Sequence, residues 1–268
     1  MTNYLEKLKA IQEKNNSWLC IGLDPQPGLL PDPSHEWDQP LFPFNKAIIE
    51  ATADLVCAYK PNLGFYLQWG ATGIIALEKT IACIPNHIPV IIDCKTGDIG
   101  HTQAAWATGL LDNWNVDAVT INPYVGSEAV LPMVAQRPDK AIYLLVRSSN
   151  PSATQFQGNL AGGTGLSAEV LRQSQEWPVQ GHIGYVIGAT YPEELAIARQ
   201  LAPEANFLIP GVGAQAGNLE AAIHHGPDPK TGPVINISRD IIYASAKANF
   251  AEAAREAAIK LRDRINSA

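Results

Sequence analysis

The chain has 268 residues, of which 46% are hydrophobic and 17% charged, a composition that excludes disorder for most of its length and allows a large buried core. It contains 19 lysines and arginines against 26 aspartates and glutamates, so its formal net charge at pH 7 is −7. This acidic balance argues against a nucleic acid or an anionic membrane as a partner, because both bind to basic patches.

Helical and strand-like segments alternate along the chain. An amphipathic helix is predicted over Tyr4–Lys14, ahead of the first apolar run. Eight short apolar runs follow, and each predicts a parallel strand, because near-continuous apolar sequence is typical of strands buried on both faces. The eight runs are Trp18–Asp24, Cys57–Asn62, Pro89–Lys95, Ala118–Pro123, Ala141–Arg147, Gly184–Thr190, Asn206–Gly213 and Pro233–Arg239.

The segments between these runs are helical in character. Pro192 followed by Glu193 and Glu194 favours a helix start, because proline fits the first turn and the helix dipole attracts carboxylates there. The last segment, Ala246–Ile265, is rich in residues of high helix propensity. The other predicted helices are Phe44–Leu55, Gln68–Ile84, Gly100–Trp114, Thr164–Trp177 and Pro192–Leu201.

Eight strands that alternate with helices predict a (β/α)8 barrel, an α/β fold with a usual size of about 250 residues. A doubly wound open sheet is the alternative, although that fold normally has fewer strands. No linker rich in Pro, Gly or Ser divides the sequence. Residues 1–268 are therefore expected to form a single barrel domain with an extra N-terminal helix.

The N-terminus and the cysteines bear on location. The first residues lack the apolar core and cleavage site of a secretory signal, and no apolar run is long enough for a membrane span. The four cysteines form no Cys-x-x-Cys pair and lie mostly in apolar runs, where cysteine packs as a small hydrophobic residue. We expect a reduced, cytoplasmic protein without a metal site.

Charged and polar side chains end several of the predicted strands, where a (β/α)8 barrel builds its active site. A single residue of this kind could simply be solvated where a strand meets water. The lysines and aspartates among them, however, are expected to converge on one mouth of the barrel. The strand-end residues are Asp24, Lys60, Asp93, Lys95, Asn122, Ser149, Pro210, Gln215 and Arg239.

The densest set of polar residues is the segment DCKTGDIGHT at positions 93–102. Asp93 and Lys95 are two apart on a strand, which predicts that their side chains share a face. Gly97 permits a tight turn, and Asp98 then falls near the start of the next helix, where the dipole favours negative charge. Thr102 lies one turn further on the same helix face.

These residues resemble the orotidine 5'-phosphate decarboxylase family, whose signature is D-x-K-x-x-D-I, and in particular its longer bacterial-type branch. That signature alone is a weak signal, because related sugar-phosphate enzymes share it. The resemblance covers nearly the whole chain, however, and an ordered set of further segments makes it specific. These segments are GLDP at 22–25, YKPN at 59–62, VTINPYVG at 119–126, RSSNPSATQFQ at 147–157, PGVGAQAG at 210–217 and NISRDIIYA at 236–244.

The resemblance implies a homodimeric enzyme of UMP synthesis that decarboxylates orotidine 5'-phosphate without a cofactor. It assigns Asp24 and Lys60 to the ribose hydroxyls and to a charge network. Asp93 would lie against the substrate carboxylate, and Lys95 would deliver a proton to C6. Asp98 would reach into the site of the neighbouring subunit.

The same resemblance assigns the rest of the pocket. Thr102 would also contribute to the neighbouring subunit's site, and Ser149 would hydrogen-bond the pyrimidine edge. Pro210 and Gln215 would line a loop that closes over the ligand. Arg239 would bind the phosphate, at the position after strands seven and eight that is usual in these barrels.

The implied reaction needs fixed charge, because CO2 leaves a carbon that has no adjacent carbonyl group to accept its electrons. The alternating lysines and aspartates would stabilise the resulting carbanion. Flanking carboxylates would keep Lys95 protonated, so that it can act as the general acid. Segment 148–165 is expected to be a mobile loop over the mouth, with a simple flexible insertion as the alternative. His224 and His225 are expected in a solvated loop.

Two other functions stay open on the sequence. A metal-assisted decarboxylase or aldolase acting on a keto-sugar phosphate would be sensitive to EDTA and would need further acidic ligands, such as a glutamate ahead of the third strand, which is missing. A non-catalytic protein that binds phosphate ligands would not need Lys95 or the aspartates on either side of it.

Overall fold

The computed structural model describes residues 3–158, 165–213 and 217–267. Within these ranges eight strands form one sheet in which every neighbouring pair is parallel. The strands are β1 (Leu19–Leu23), β2 (Ala58–Pro61), β3 (Ile91–Thr96), β4 (Ala118–Ile121), β5 (Ala141–Arg147), β6 (His182–Ile187), β7 (Phe207–Pro210) and β8 (Val234–Ile237).

The strand order is β2-β1-β8-β7-β6-β5-β4-β3, which leaves β2 and β3 as the two ends of the sheet. Two isolated parallel bridges, Tyr59 with Val90 and Asn62 with Asp93, join these ends. The sheet is therefore a nearly closed barrel, and the predicted (β/α)8 fold is confirmed over an open sheet. Every residue of β1, β2, β4 and β8 is buried, as near-continuous apolar runs predict for strands covered on both sides.

Helices cover the barrel between successive strands. They are α1 (Tyr4–Asn15), α2 (Leu41–Thr52), α3 (Leu63–Leu67), α4 (Gly70–Cys83), α5 (Gly100–Ala107), α6 (Leu131–Val134), α7 (Leu166–Gln175), α8 (Pro192–Leu201), α9 (Leu219–His225), α10 (Arg239–Ile242) and α11 (Phe250–Ser267). The start of α8 has the predicted form, with a proline in the first turn followed by Glu193 and Glu194.

The extra N-terminal helix α1 packs across the amino ends of the strands. Its cap residue Asn3 and Glu6 form a reciprocal capping box, which satisfies two free amides of the first turn. The Tyr4 hydroxyl lies 2.7 Å from that of Tyr143 on β5, and the Gln12 amide donates to the carbonyl before β8. The helix therefore covers the face of the barrel opposite to the strand ends singled out in the sequence.

Three predicted elements differ from those observed. The helix expected over Gln68–Ile84 begins two residues later, at Gly70, whose φ of 61° separates α4 from the short helix α3 that precedes the predicted range. The helix expected over Gly100–Trp114 changes at Thr108 into one π-helical stretch. The prediction of a solvated loop at His224 and His225 was wrong, because both lie in the last turn of α9.

The segment after β5 is described as far as Gly158 and again from Gly165. It contains a short 3-10 helix at Pro151–Gln155, which the sequence did not predict. In the described ranges, no helix is both long and apolar enough to cross a membrane. Nor do those ranges bring together three or more His, Cys, Asp or Glu side chains in a group that could hold a metal ion.

Candidate functional site

A cavity of about 390 Å³ opens at the carboxyl ends of the strands. This volume falls in the range of small-molecule sites. The strand-end residues at its walls include Asp24 after β1, Lys60 on β2, and Asp93 and Lys95 on β3. Ser149, Pro210 and Arg239 line the same cavity. The barrel therefore brings most of the sequence-predicted site residues to one mouth.

The Asp93 carboxylate is the centre of a hydrogen-bonded cluster. Its Oδ1 accepts from Lys95 Nζ at 2.5 Å and from the Thr120 hydroxyl at 2.9 Å. Its Oδ2 accepts from Lys60 Nζ at 3.0 Å and from Asn62 Nδ2 at 3.2 Å. Each carboxylate oxygen thus accepts two hydrogen bonds, which hold the carboxylate at a defined position and orientation.

Burial and charge act in opposite directions on this cluster. Burial by itself lowers the pKa of Lys60, but the neighbouring Asp93 and Asp24 carboxylates outweigh it and raise that pKa above its ordinary value. Burial by itself raises the pKa of Asp93, but Lys60 and Lys95 outweigh it and hold that pKa well below its ordinary range. Lys60 and Asp93 are therefore both charged at neutral pH.

At Asp24 the effect of burial on the pKa outweighs that of the neighbouring positive charge. Burial raises the pKa of its carboxyl, and Lys60 and a hydrogen bond from Ser238 offset this only in part. Its Oδ1 accepts from the backbone amide of Asn62 at 3.2 Å. Asp24 thus lines the cavity beside the Lys60–Asp93 pair, and among the described residues it forms no direct ion pair of its own.

The strand that carries Asp93 and Lys95 is not regular at this point. The pairing of β3 with β4 shifts between Ile92 and Thr96, and Lys95 has a φ of 47°. A left-handed φ is uncommon for a residue with a side chain, and an irregularity of this kind re-aims side chains. The two side chains meet in an ion pair, but simple alternation along a strand does not account for it.

The loops after β7 and β8 form the opposite wall. Gly211 and Gly213 follow Pro210 and have φ values of 92° and 154°, a region that favours glycine. Arg239 begins the short helix α10 and is exposed to solvent. Gln215 lies outside the described residues. On the same side of the mouth, the Ser149 carbonyl accepts from the Thr190 hydroxyl at 3.2 Å.

Asp98 and Thr102 do not line the main cavity of this chain. Asp98 is partly buried at the edge of a second cavity of about 400 Å³, which Lys95 and Trp106 also line. One of its carboxylate oxygens accepts from the Ile99 amide at 2.8 Å. Thr102 is exposed on α5. Asp93 and Lys95 line this second cavity as well, but among the described residues of one chain Asp98 forms no ion pair or side-chain hydrogen bond with them.

The sequence reasoning missed three residues that contact the site residues. Thr120 and Asn62 both donate to Asp93, as described above. The Tyr243 hydroxyl accepts from the Gln26 amide at 2.6 Å and donates to the Asp24 carbonyl at 2.9 Å, so it holds the chain after β1. A polar Thr120 inside the buried run AVTI was a signal for such a role, because buried polar groups are normally hydrogen-bonded.

Comparisons with known proteins match nearly the whole chain to one protein family. The model of the Orotidine 5'-phosphate decarboxylase / HUMPS family matches residues 17–256. A protein of Thermomicrobium roseum described as orotidine 5'-phosphate decarboxylase is 46% identical over 267 residues, covering 98% of this chain and 95% of that protein.

Two solved structures from Leishmania donovani have the same fold. OMP decarboxylase aligns with a TM-score of 0.85 and 33% identity, covering 99% of this chain and 98% of that one. UMP synthase aligns with a TM-score of 0.88 and 34% identity, covering 100% of this chain. In that case this chain spans only 56% of the longer chain it matches.

Proposed function

Because the chain belongs to the orotidine 5'-phosphate decarboxylase / HUMPS family, we propose that it converts orotidine 5'-phosphate to UMP and CO2. The observation that carries this proposal is the series of ion pairs at the mouth of the barrel, from the buried Lys60 through Asp93 to Lys95, whose side chain is 43% exposed. It is a charged cluster next to a cavity of about 390 Å³, and it contains both a fixed anion and a proton donor.

In the proposed reaction the bond between C6 and the carboxylate breaks, and its electron pair stays on C6. The Lys95 ammonium group stabilises that charge and then transfers a proton from Nζ to C6. Lys95 regains a proton from water after product release. Lys60 and Asp93 keep the ammonium group in place, because Asp93 bridges the two lysines at 3.0 Å and 2.5 Å.

Asp93 has a second proposed role, against the carboxylate that leaves. Its two lysine partners keep it ionised despite burial, so a substrate carboxylate placed beside it meets a fixed negative charge. That repulsion disappears as neutral CO2 forms. The free energy that places the two anions together comes from binding the rest of the nucleotide.

The remaining site residues are proposed to bind the nucleotide away from the reacting carbon. Asp24 and Lys60 would serve the ribose hydroxyls, Ser149 the pyrimidine edge, and Arg239 the phosphate. Pro210 and Gln215 would border the ligand on the side of β7. Charge-assisted bonds to the phosphate are strong enough to order the loops around the substrate before the chemical step.

We further propose that the enzyme is a homodimer in which Asp98 completes the site of the partner. Leu67 and Trp106, which line the cavity shared by Lys95 and Asp98, are 54% and 37% exposed. Ile99 beside them is 51% exposed. Large apolar side chains that cluster at the edge of a site are typical of an interface. A second copy covering them would bring its own Asp98 towards Lys95.

Two wider expectations belong to the same proposal. The chain is proposed to form one domain over residues 1–268, which is supported by the single eight-stranded sheet in the described residues. A cytoplasmic location is supported by its four cysteines, none of which forms a disulfide in the structure.

The activity is tested by the loss of near-ultraviolet absorbance of orotidine 5'-phosphate when the purified chain is added. We expect turnover to continue in excess EDTA, whereas a metal-assisted enzyme acting on a keto-sugar phosphate would be inhibited. Lys95→Ala at the same concentration is the control for a contaminating activity. A folded, dimeric sample without turnover would contradict the proposal.

The shared site is tested by mixing two inactive variants, Asp98→Ala and Lys95→Ala. In a mixed dimer one site receives Lys95 from one subunit and Asp98 from the other, and the second site lacks both. Random exchange is expected to restore about a quarter of the wild-type activity, because half of the dimers are mixed and each has one working site. No recovery after demonstrated subunit exchange would show that Asp98 does not act across the interface.

A further inference from the structure

Thr120 on β4 has an unusual set of contacts for a residue inside a buried strand. Its hydroxyl donates to Asp93 Oδ1 at 2.9 Å. The same oxygen accepts the backbone amides of Cys94 at 3.1 Å and Lys95 at 3.0 Å. The side chain is fully buried, and it lines the main cavity.

These contacts use the hydrogen-bonding capacity of the hydroxyl in full, since a threonine has one donor and two acceptor lone pairs. They also replace regular sheet pairing. Between Ile92 and Thr96 the β3–β4 register shifts, and two of the three amides between these residues, those of Cys94 and Lys95, turn to the Thr120 side chain. The irregular backbone that gives Lys95 its left-handed φ of 47° is thus held by one hydroxyl of the neighbouring strand.

We propose that Thr120 is a positioning residue for the decarboxylation, because its hydroxyl fixes both the Asp93 carboxylate and the backbone of Lys95. This inference rests on the proposed function of the site. The hydroxyl sets the distance between the fixed anion and the proton donor, without touching the substrate carbon itself. The branched side chain of threonine restricts its χ1 rotation, which keeps the hydroxyl aimed at β3.

The test compares variants that remove the hydroxyl with one that keeps it. Thr120→Val preserves the shape of the side chain but removes the hydrogen-bond partner of the part-buried Cys94 and Lys95 amides and one of the donors to Asp93 Oδ1. Thr120→Ser keeps the hydroxyl and loses the methyl group. The matched control is Thr80→Val, because Thr80 on α4 is equally buried, its hydroxyl donates to the Ala76 carbonyl at 2.7 Å and accepts from Asn45 Nδ2 at 3.2 Å, and it does not line the cavity.

We expect Thr120→Val to lower kcat by about 10- to 100-fold, the size of effect that follows when a reacting group is misplaced by a fraction of an ångström to one ångström. The KM for orotidine 5'-phosphate and the Kd for UMP, measured by calorimetry, should change by less than about threefold, because the nucleotide contacts remain. Thr120→Ser should retain most of the wild-type kcat. Thr80→Val should lower the thermal midpoint without lowering kcat.

The proposal is overturned if Thr120→Val keeps its kcat, or if Thr120→Ser is impaired as strongly as Thr120→Val. If Thr120→Val does not fold, Thr120→Ala replaces it in the same comparison. Crystal structures of the wild type and of the folded variant provide a readout that does not depend on activity. Loss of the Asp93–Lys95 contact supports the inference, and an unchanged contact refutes it. Absence of wild-type turnover would instead refute the proposed function.

Discussion

Replacing Lys60 by methionine should destabilise the protein strongly, because it removes the cation between two carboxylates. Lys60 is only 4% exposed, and its Nζ lies 3.0 Å from Asp93 Oδ2. Loss of one partner from a buried pair costs about 3–5 kcal/mol, and we expect the lower end, about 3 kcal/mol, because Lys95 still contacts Asp93. For a chain of this size that corresponds to a fall in thermal midpoint of about 6–12 °C.

The pH dependence distinguishes this cause from a simple packing defect. The depressed pKa of Asp93 contributes stability that is present above the pKa of an unfolded aspartate, about 3.9, and that is lost as pH falls through the folded value. Without Lys60 that contribution shrinks, and the already raised pKa of Asp24 rises further. The Asp93 part of the stability difference between wild type and variant should therefore shrink only below about pH 3.9, whereas the Asp24 part should already shrink as pH falls from neutral through the raised pKa of Asp24, so the total difference is largest near neutral pH.

The assay is thermal or urea unfolding of both proteins between neutral and mildly acidic pH. Lys46→Met is the control, because the Lys46–Glu50 pair is exposed, spans 3.7 Å, and should contribute less than about 1 kcal/mol. The reasoning is refuted if Lys60→Met costs no more than Lys46→Met at neutral pH. It is also refuted if the loss does not depend on pH.

Three further substitutions test the roles of single residues. Lys95→Ala should abolish turnover while UMP still binds in calorimetry, and a loss of UMP binding equal to the loss of turnover would contradict its role as proton donor. Arg239→Ala should weaken the binding of UMP by about 10- to 100-fold and the binding of uridine far less. Equal losses of affinity for both ligands would contradict the proposal that Arg239 binds the phosphate. Tyr243→Phe loses the hydroxyl that joins the Gln26 amide to the Asp24 carbonyl, so the KM should rise about 3- to 10-fold, and an unchanged KM would contradict a role in holding this loop.

The sequence predicted the barrel because apolar runs record burial, and burial on both faces is a property of each strand alone. The ends of the strands were less predictable. The run Trp18–Asp24 is longer than the strand Leu19–Leu23 by one residue at each end, although the Trp18 carbonyl still accepts from the Ile235 amide of β8. His224 and His225 were placed in a loop by their polarity, although Leu219 and Ala222 on the same segment are buried and make α9 a one-sided helix.

The arrangement of the candidate site was only partly predictable, because some of it depends on other strands. The spacing of Asp93 and Lys95 is the same in a regular strand and in the irregular one observed. The irregularity involves the Thr120 hydroxyl on β4, which no spacing within segment 93–102 records. Likewise, Asp98 shares the second cavity with Asp93 and Lys95 but forms no ion pair with them among the described residues of one chain. Its proposed role needs a second copy, and local sequence does not encode the geometry of that contact.

The most direct test of the account follows both products of the proposed reaction in one experiment. Orotidine 5'-phosphate labelled with 13C in its carboxylate is incubated with the wild type in D2O that contains excess EDTA. We predict equal amounts of labelled CO2 and of UMP that carries one deuterium at C6, and neither product from Lys95→Ala. A folded wild type that releases no labelled CO2, or a Lys95→Ala variant that retains turnover, would contradict the account.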